Sequence, residues 1–597
     1  MAVIKKRKKR LPERLGEGAV IPAVRRHRLW VVFSLSLLWV GIVIWRLYSI
    51  QIADFETWQN WALRQHFSVV KLASERGPIL DRSGQILAVS VPASSIYARP
   101  RQIKDKNRVA SELSELLGIR RSIILEKLSS SAPFVWIKRQ LPRIYAERLK
   151  GLKLAGVGSM LESRRFYPYS SAAGVLIGKV GIDGNGLSGI ELLYEPRLHK
   201  PYHRAKVYRD ALGNLIDITP VSSAGVLRLP KGNALQLTID AEIQAVVDSE
   251  LELGRKNANA KSAFAVMIDA DSGDVLAISQ APQINLNTSI KHSSQVLTNL
   301  AVESVFEPGS ILKPIVLAAA LEERLVSLNS KIDCENGAFR IGRHVIRDVH
   351  PEGILSVRDV IVRSSNIGMS KIGAMLGKNL LYSYLRRFGL GEKSSLGLPG
   401  ESAGILRPPE KWATIDVATH SFGQGVAVTP LQIVRAVAAI ANGGKLPRLN
   451  LLMRENNIEL KPVISEGTAE KVRQAMLAVV EDPHGTGKRA AIDGILIGGK
   501  TGTAQKPVKN GRGYQPGAYI ASFVGFADGA NAGINRRLVL LVSIDEPDTD
   551  SIYGGILAAP VFKRIIKKSL YILATRKELK TPGNKDNLVL ASYHAGA

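Results

Sequence analysis

The chain of 597 residues holds one cysteine, Cys334. No intrachain disulfide can form, and cysteine-rich zinc patterns are excluded. Cys334 is expected to be a small buried residue, and neither a metal site nor a cofactor is expected. Acidic residues are scarce, 52 against 81 Lys and Arg, for a formal net charge of +29. Ten of the basic residues fall in the first 28, against only Glu13 and Glu17. No RNA- or DNA-binding motif accompanies the charge, so nucleic acid is not an expected partner. An anionic membrane or an anionic wall polymer suits it. Long apolar runs are also rare. Residues 29–45 are free of charge, and with the flanking 47–52 they are just long enough to span hydrocarbon. No small-residue cleavage site follows. Arg46-Leu47-Tyr48 stands there instead, which argues for an uncleaved anchor over 29–50. The basic tail, 1–28, predicts a cytoplasmic N-terminus with the rest of the chain outside. The glycines of 181–189 lack a following Gly-Lys-Ser/Thr, so they read as a turn rather than a phosphate loop.

What is present centres on Phe306-Glu307-Pro308-Gly309-Ser310-Ile311-Leu312-Lys313-Pro314, followed by a good helix-forming segment. A helix starting near Ser310 puts Ser310 and Lys313 on one face, one turn apart. It also places the serine at a helix N-terminus, where N–H groups favour an oxyanion. Alone, such a pair arises by chance about twice in a chain of this length. Two further motifs follow: Ser364-Ser365-Asn366, and Lys500-Thr501-Gly502-Thr503 on an expected strand. Strands are expected at 235–240, 264–269, 275–279, 495–504, 518–526 and 538–544, with a helix over 241–253 and a hairpin turn at Asp271-Ser272-Gly273-Asp274. The last five strands flank a mostly helical middle, 310–490. The fold class is thus α/β, one sheet built from both ends of the segment with a helical insertion. Residues after 575 read as a polar, disordered tail.

The residue types suit acyl transfer. Ser310 Oγ is the candidate nucleophile, and Lys313 its base. A lysine acts so only when neutral, and burial beside a second cation, Lys500, lowers its pKa. Ser364 can relay the proton to a leaving amine, and Asn366 can hold the substrate amide and orient Lys313. The backbone N–H groups of Ser310 and Thr503 are the candidate oxyanion donors. Lys500 with the Thr501 and Thr503 hydroxyls would grip a substrate ending in a free carboxylate, such as a D-alanine terminus, so Lys500, Thr501, Gly502 and Thr503 are the candidate substrate-binding residues.

The three motifs in this order resemble those of penicillin-binding proteins and serine β-lactamases. The wider chain resembles the class B penicillin-binding proteins, and within them the division-type (FtsI) peptidoglycan transpeptidases. The resemblance runs from about residue 20 to 570 and rests on further segments: Arg76-Gly77 to Asp81-Arg82, Leu87-Ala88-Val89-Ser90-Val91-Pro92, Arg164 to Pro168, Gly189-Ile190-Glu191, Ser421 to Gly425, Thr429 to Gln432, and Tyr553 to Phe562. It implies a penicillin-binding/β-lactamase-like domain with a five-stranded antiparallel sheet over 226–575, an elongated α+β pedestal of the dimerisation type over 51–225, and a tail over 576–597. It also implies D,D-transpeptidation of stem peptides on lipid II-derived strands at the septum, covalent inhibition by β-lactams, and contacts with a SEDS glycosyltransferase (FtsW) and other division proteins. The expected location is the inner membrane, single-pass. One departure is Leu198-His199-Lys200-Pro201, where the family usually has Leu-x-Gly. Elongation-type transpeptidases, β-lactamases and β-lactam sensors are the rival readings. No Glu-x-x-Leu-Asn loop lies between Asn366 and Lys500, and a 28-residue tail is too short for a signalling domain.

Overall fold

The structure is a computed structural model that describes residues 23–72, 75–200, 203–209, 215–217, 221–222, 225–226, 231–288, 298–453, 458–508 and 513–578. The expected basic tail up to residue 22, and residues 579–597, lie outside them. Helix α1, Ala23–Tyr48, starts six residues ahead of the expected anchor and takes in Arg25, Arg26 and Arg28. Arginine is a good helix former, so the helix does not stop where the apolar run does. Within the described residues, Arg26–Ala53 is the one helical stretch long and apolar enough to cross a membrane.

The chain forms two compact units, Met1–Leu72 with Tyr202–Leu229, and Ala73–Pro201 with Pro230–Ala597. The expected pedestal, 51–225, is therefore shared between them. In the first unit, α1 and the helix Phe55–His66 accompany a small antiparallel sheet of Phe67–Leu72, His203–Arg209 and Leu215–Asp217.

The second unit holds the main sheet. Its strands are β1 (Ser262–Asp269), β2 (Val275–Ala281), β3 (Leu496–Pro507), β4 (Tyr514–Asp528) and β5 (Arg537–Asp545), in the order β2-β1-β5-β4-β3, all antiparallel. Side chains alternate between the two faces with the strand period of two. Ala263, Ala265, Met267, Leu540 and Val542 pack toward α2 (Ala241–Asn257) and α7 (Gly554–Glu578). Phe264, Val266, Ile268, Val524 and Leu541 pack toward α3 (Lys313–Glu322), α5 (Pro430–Ala441) and α6 (Glu466–Glu481). Helix α4, Asn366–Arg387, packs against α3 in the same core. Each fully buried Leu, Ile or Phe in these layers contributes about 1.5–3 kcal/mol. Every residue of α3 from Lys313 to Leu321 is buried. A helix enclosed on all sides is expected to be apolar on all sides. Lys313 is the exception, and the site explains it.

Three expectations change. The 235–240 segment is not a strand of the main sheet. Only Leu235–Gln236 is extended, and it pairs in parallel with Ile79–Leu80, next to Ile86–Ala98 in the pedestal sheet. The rest of the segment spends its hydrogen bonds elsewhere. Thr238 Oγ1 donates to Val275 O or Asn450 O, both at 2.8 Å, and Asp240 caps α2 through Ile243 N. The middle also contains a hairpin, Ala338–Ile341 with His344–Arg347. Finally, α7 continues to Glu578, into the expected tail, because Arg576 pairs with Asp240 at 3.0 Å and with Glu242 at 2.9 Å.

Candidate active site

The turn before α3 is set by glycine. Gly309 has φ +55°, a left-handed conformation that L side chains rarely adopt. Its N–H donates to Gly423 O at 3.0 Å. A Cβ at Gly423 would stand 2.1 Å from Gly309 O, so these two backbones meet only as glycines. The residues Gly309–Leu312 form one 3₁₀ turn before α3 begins at Lys313. This differs from the expected α-helical start, and it tightens the geometry, because residues i and i+3 eclipse in a 3₁₀ helix. Ser310 and Lys313 therefore lie on the same side. Ser310 stays partly open while Lys313 is fully enclosed, at 0 % exposure.

Three elements converge on Lys313. Its Nζ donates to Asn366 Oδ1 at 2.8 Å, to Ser364 O at 2.6 Å and to Ser364 Oγ at 3.2 Å. Lys500, also at 0 % exposure, reaches the same Ser364 Oγ at 2.9 Å from β3, and Thr501 O at 3.1 Å. One hydroxyl thus bridges two buried lysines. Ser364 itself has φ +62°, an uncommon conformation for a non-glycine residue and one that collects at functional sites. Burial pulls the Lys313 pKa down to about 7, against the opposing pull of the Asp348 carboxylate. Lys500 falls well below the usual lysine range through burial and the charge of Lys313. A proton on one disfavours a proton on the other, so the pair carries fewer than two near neutrality.

Strand β3 lies against the serine turn. A Cβ at Gly502 would come within 2.9 Å of Ile311 Cγ2 and 3.2 Å of Pro308 O. The Thr503 hydroxyl accepts from Gly554 N, at the head of α7, at 3.3 Å. The structure thus gathers Ser310, Lys313, Ser364, Asn366 and Lys500-Thr501-Gly502-Thr503 around one cleft. None of the three Lys313 hydrogen bonds goes to Ser310.

Residues 263–567 match the family described as "Penicillin binding protein transpeptidase domain", and 71–226 match "Penicillin-binding Protein dimerisation domain". The chain belongs to the penicillin-binding protein family. It is similar to the probable peptidoglycan D,D-transpeptidase PenA of Neisseria meningitidis, 35 % identical over 93 % of this chain and 95 % of the relative. It is also similar to the peptidoglycan D,D-transpeptidase FtsI of Escherichia coli K12, 33 % identical over 87 % and 88 %. Among solved structures, a peptidoglycan synthetase from Bifidobacterium adolescentis superposes with a TM-score of 0.65 at 26 % identity, covering 87 % of this chain and 98 % of the other. Within the family, this chain is a class B peptidoglycan D,D-transpeptidase.

In this penicillin-binding protein the motif residues have partners that their spacing does not reveal. Asp348 lies at the N-terminus of α4, where its carboxylate accepts from Ile367 N at 3.1 Å, from Asn366 N and from Ser365 Oγ. It holds Asn366 in place and opposes the fall in the Lys313 pKa. Cys334 is buried, as expected, with its sulfur 3.3 Å from Ser365 Oγ. Thr486 bonds the Thr501 hydroxyl at 2.9 Å. The signal for Asp348 was the pair of short β-prone runs, Phe339-Arg340-Ile341 and Val345-Ile346, on either side of Gly342-Arg343, a hairpin pattern inside a region read as helical.

The pedestal motifs also meet one another. Glu191 receives Arg165 Nε at 2.7 Å and Arg76 Nε, and Arg76 also reaches Glu195. Arg76 and Glu191 are buried, so the quoted pedestal segments form one buried ion cluster.

Proposed function

We propose that this transpeptidase cross-links septal peptidoglycan through a Ser310 acyl-enzyme. The supporting observation is the pair of buried lysines joined through the Ser364 hydroxyl, on the same side as Ser310. Lys313, neutral near pH 7, takes the Ser310 proton as Oγ bonds to the carbonyl carbon of the penultimate D-alanine of a donor stem peptide. The N–H groups of Ser310 and Thr503 receive the oxyanion, each donor worth about 3–4 kcal/mol in such sites. The bond to the terminal D-alanine breaks, and its nitrogen takes up a proton through Ser364. An acceptor amine then attacks the ester, and its proton returns to Ser310 Oγ. Lys500 with the Thr501 and Thr503 hydroxyls binds the donor's carboxylate. That anion favours a protonated Lys500, which keeps Lys313 neutral. A β-lactam mimics the donor and stays on Ser310.

The ten basic residues among the first 28 favour a cytoplasmic N-terminus and a catalytic domain outside the inner membrane. The FtsI relative and the Ala88-Val89-Ser90-Val91-Pro92 segment support a division role, with FtsW-type and other division proteins as partners. Ser310→Ala is expected to abolish covalent labelling by fluorescent penicillin. Persistent labelling overturns the nucleophile. In cells depleted of the wild type, the same variant should fail to support septation; rescue of septation would leave only a scaffolding role.

A further inference from the structure

Glu307 stands three residues before Ser310 and belongs to none of the three motifs. Its carboxylate is half-buried and has no cation partner among the described residues. Oε1 accepts from Gly425 N at 2.9 Å, and Oε2 accepts from the Tyr514 hydroxyl at 2.9 Å. These two donors lie on different walls of the cleft. Gly425 ends the 421–425 segment, whose Gly423 O receives Gly309 N, and Phe306 exchanges backbone bonds with Val428 at 2.9 and 3.0 Å. Tyr514 opens β4 and pairs with Pro507 at the far end of β3, the strand that carries Lys500 to Thr503. Glu307 is thus the side chain that joins the serine turn to both neighbours at once.

A carboxylate kept here is costly, because burial pushes its pKa up and only two hydrogen bonds oppose that cost. A purely apolar contact would hold a turn at less expense. What a carboxylate adds is two acceptors in one plane at a fixed separation, which sets the distance between two donors.

We infer that Glu307 is a positioning residue that fixes the width of the cleft between the Ser310 turn and the rim formed by β3 and β4. It acts on the acylation step through Gly425 and Tyr514, and it touches no reacting atom. The inference rests on Ser310 as the nucleophile. Displacement of a nucleophile by about 1 Å is enough to cost a hundredfold in rate, so a loosened clasp should appear in the acylation rate constant more than in affinity.

The experiment measures acylation of the full-length detergent-solubilised protein by fluorescent penicillin, separating the binding constant from the acylation rate constant. Glu307→Ala is expected to slow acylation about tenfold with a smaller change in binding. Glu307→Gln should restore the rate to within about twofold, because its oxygen still accepts from Gly425 and its nitrogen can donate to the Tyr514 oxygen. Tyr514→Phe, at a partly exposed site that tolerates the change, should slow acylation about threefold with an unchanged unfolding midpoint. Wild-type acylation in both Glu307→Ala and Tyr514→Phe overturns the inference, as does a Gln variant as slow as the Ala variant. Labelling of Ser310→Ala run alongside would instead overturn the nucleophile.

Discussion

Around Ser364, two buried lysines share one hydroxyl, and among the described residues no carboxylate is bonded to either. In the 75–200 segment of the same unit, Arg76 and Arg165 clamp one buried glutamate, Glu191. Both regions take cations out of water, at an effective penalty of several kcal/mol per ion. The pedestal offsets the penalty with opposite charge. The catalytic region leaves the penalty in place, and the Lys313 pKa falls to about 7. The paired cluster is built to hold a shape. The unpaired one converts burial into a neutral amine, free to accept a proton at the pH where the base is needed.

The comparison breaks first at Lys313. Lys313→Ala should lower acylation by fluorescent penicillin by roughly 10²–10⁴-fold. The wild-type rate should climb as pH passes through about 7, because only the deprotonated amine accepts the serine proton. A rate flat from pH 6 to 8 would remove the link between burial and basicity. In the pedestal the expected loss is of stability. Glu191→Ala takes the carboxylate from Arg165 and leaves Arg76 with Glu195 alone, and should cost about 3–5 kcal/mol in denaturant unfolding. Acylation per folded molecule should be unchanged; a large fall in it would mean that the pedestal cluster also shapes the cleft.

The smallest effect concerns a third kind of buried charge. Asp248, on α2, bonds Gln244 Nε2 at 2.9 Å, Ser279 Oγ and Ala173 N, with no cation partner. Burial lifts its pKa from 3.8 to about 7. Between those values the folded chain holds a proton that the unfolded chain lacks, so this group's contribution to stability declines as pH rises from about 4 to about 7. The groups lining the site around it, Ser171, Ser279, Gln280 and Gln283, do not titrate. Asp248→Asn should remove the slope, seen as a narrower spread of unfolding midpoints between pH 5 and 8; an equal spread in both proteins would contradict it.

The residues legible in the sequence were those whose chemistry recurs at fixed spacing. Ser310 with Lys313, Ser364 with Asn366, and Lys500 to Thr503 each declare themselves within four residues, and the short apolar runs of β1 to β5 declare the sheet. Asp348, Thr486 and Glu307 do not. Each is a lone polar residue in an ordinary context, and its role comes from a partner 15 to 207 residues away. The 235–240 segment misleads for a related reason. Its alternation is that of a strand, but its hydrogen bonds go to the backbone of Ile79–Leu80, of β2 and of residues 450–451, which sequence does not place beside it. The Lys313 base was legible as a type and not as a state, since its neutrality depends on enclosure by α4 and β3.

Helix α7 carries one more consequence. Its last turn is fastened by Arg576 to Asp240 and Glu242, and its first residue, Gly554, donates to the Thr503 hydroxyl. At 1.5 Å per residue, the 25 residues of the whole helix make a rod of roughly 37 Å. A chain cut at residue 575 would lose the far anchor while every motif stayed intact. The enzyme would then read as complete to anyone scanning its motifs, yet the helix whose head bonds the substrate strand would be fastened at one end only.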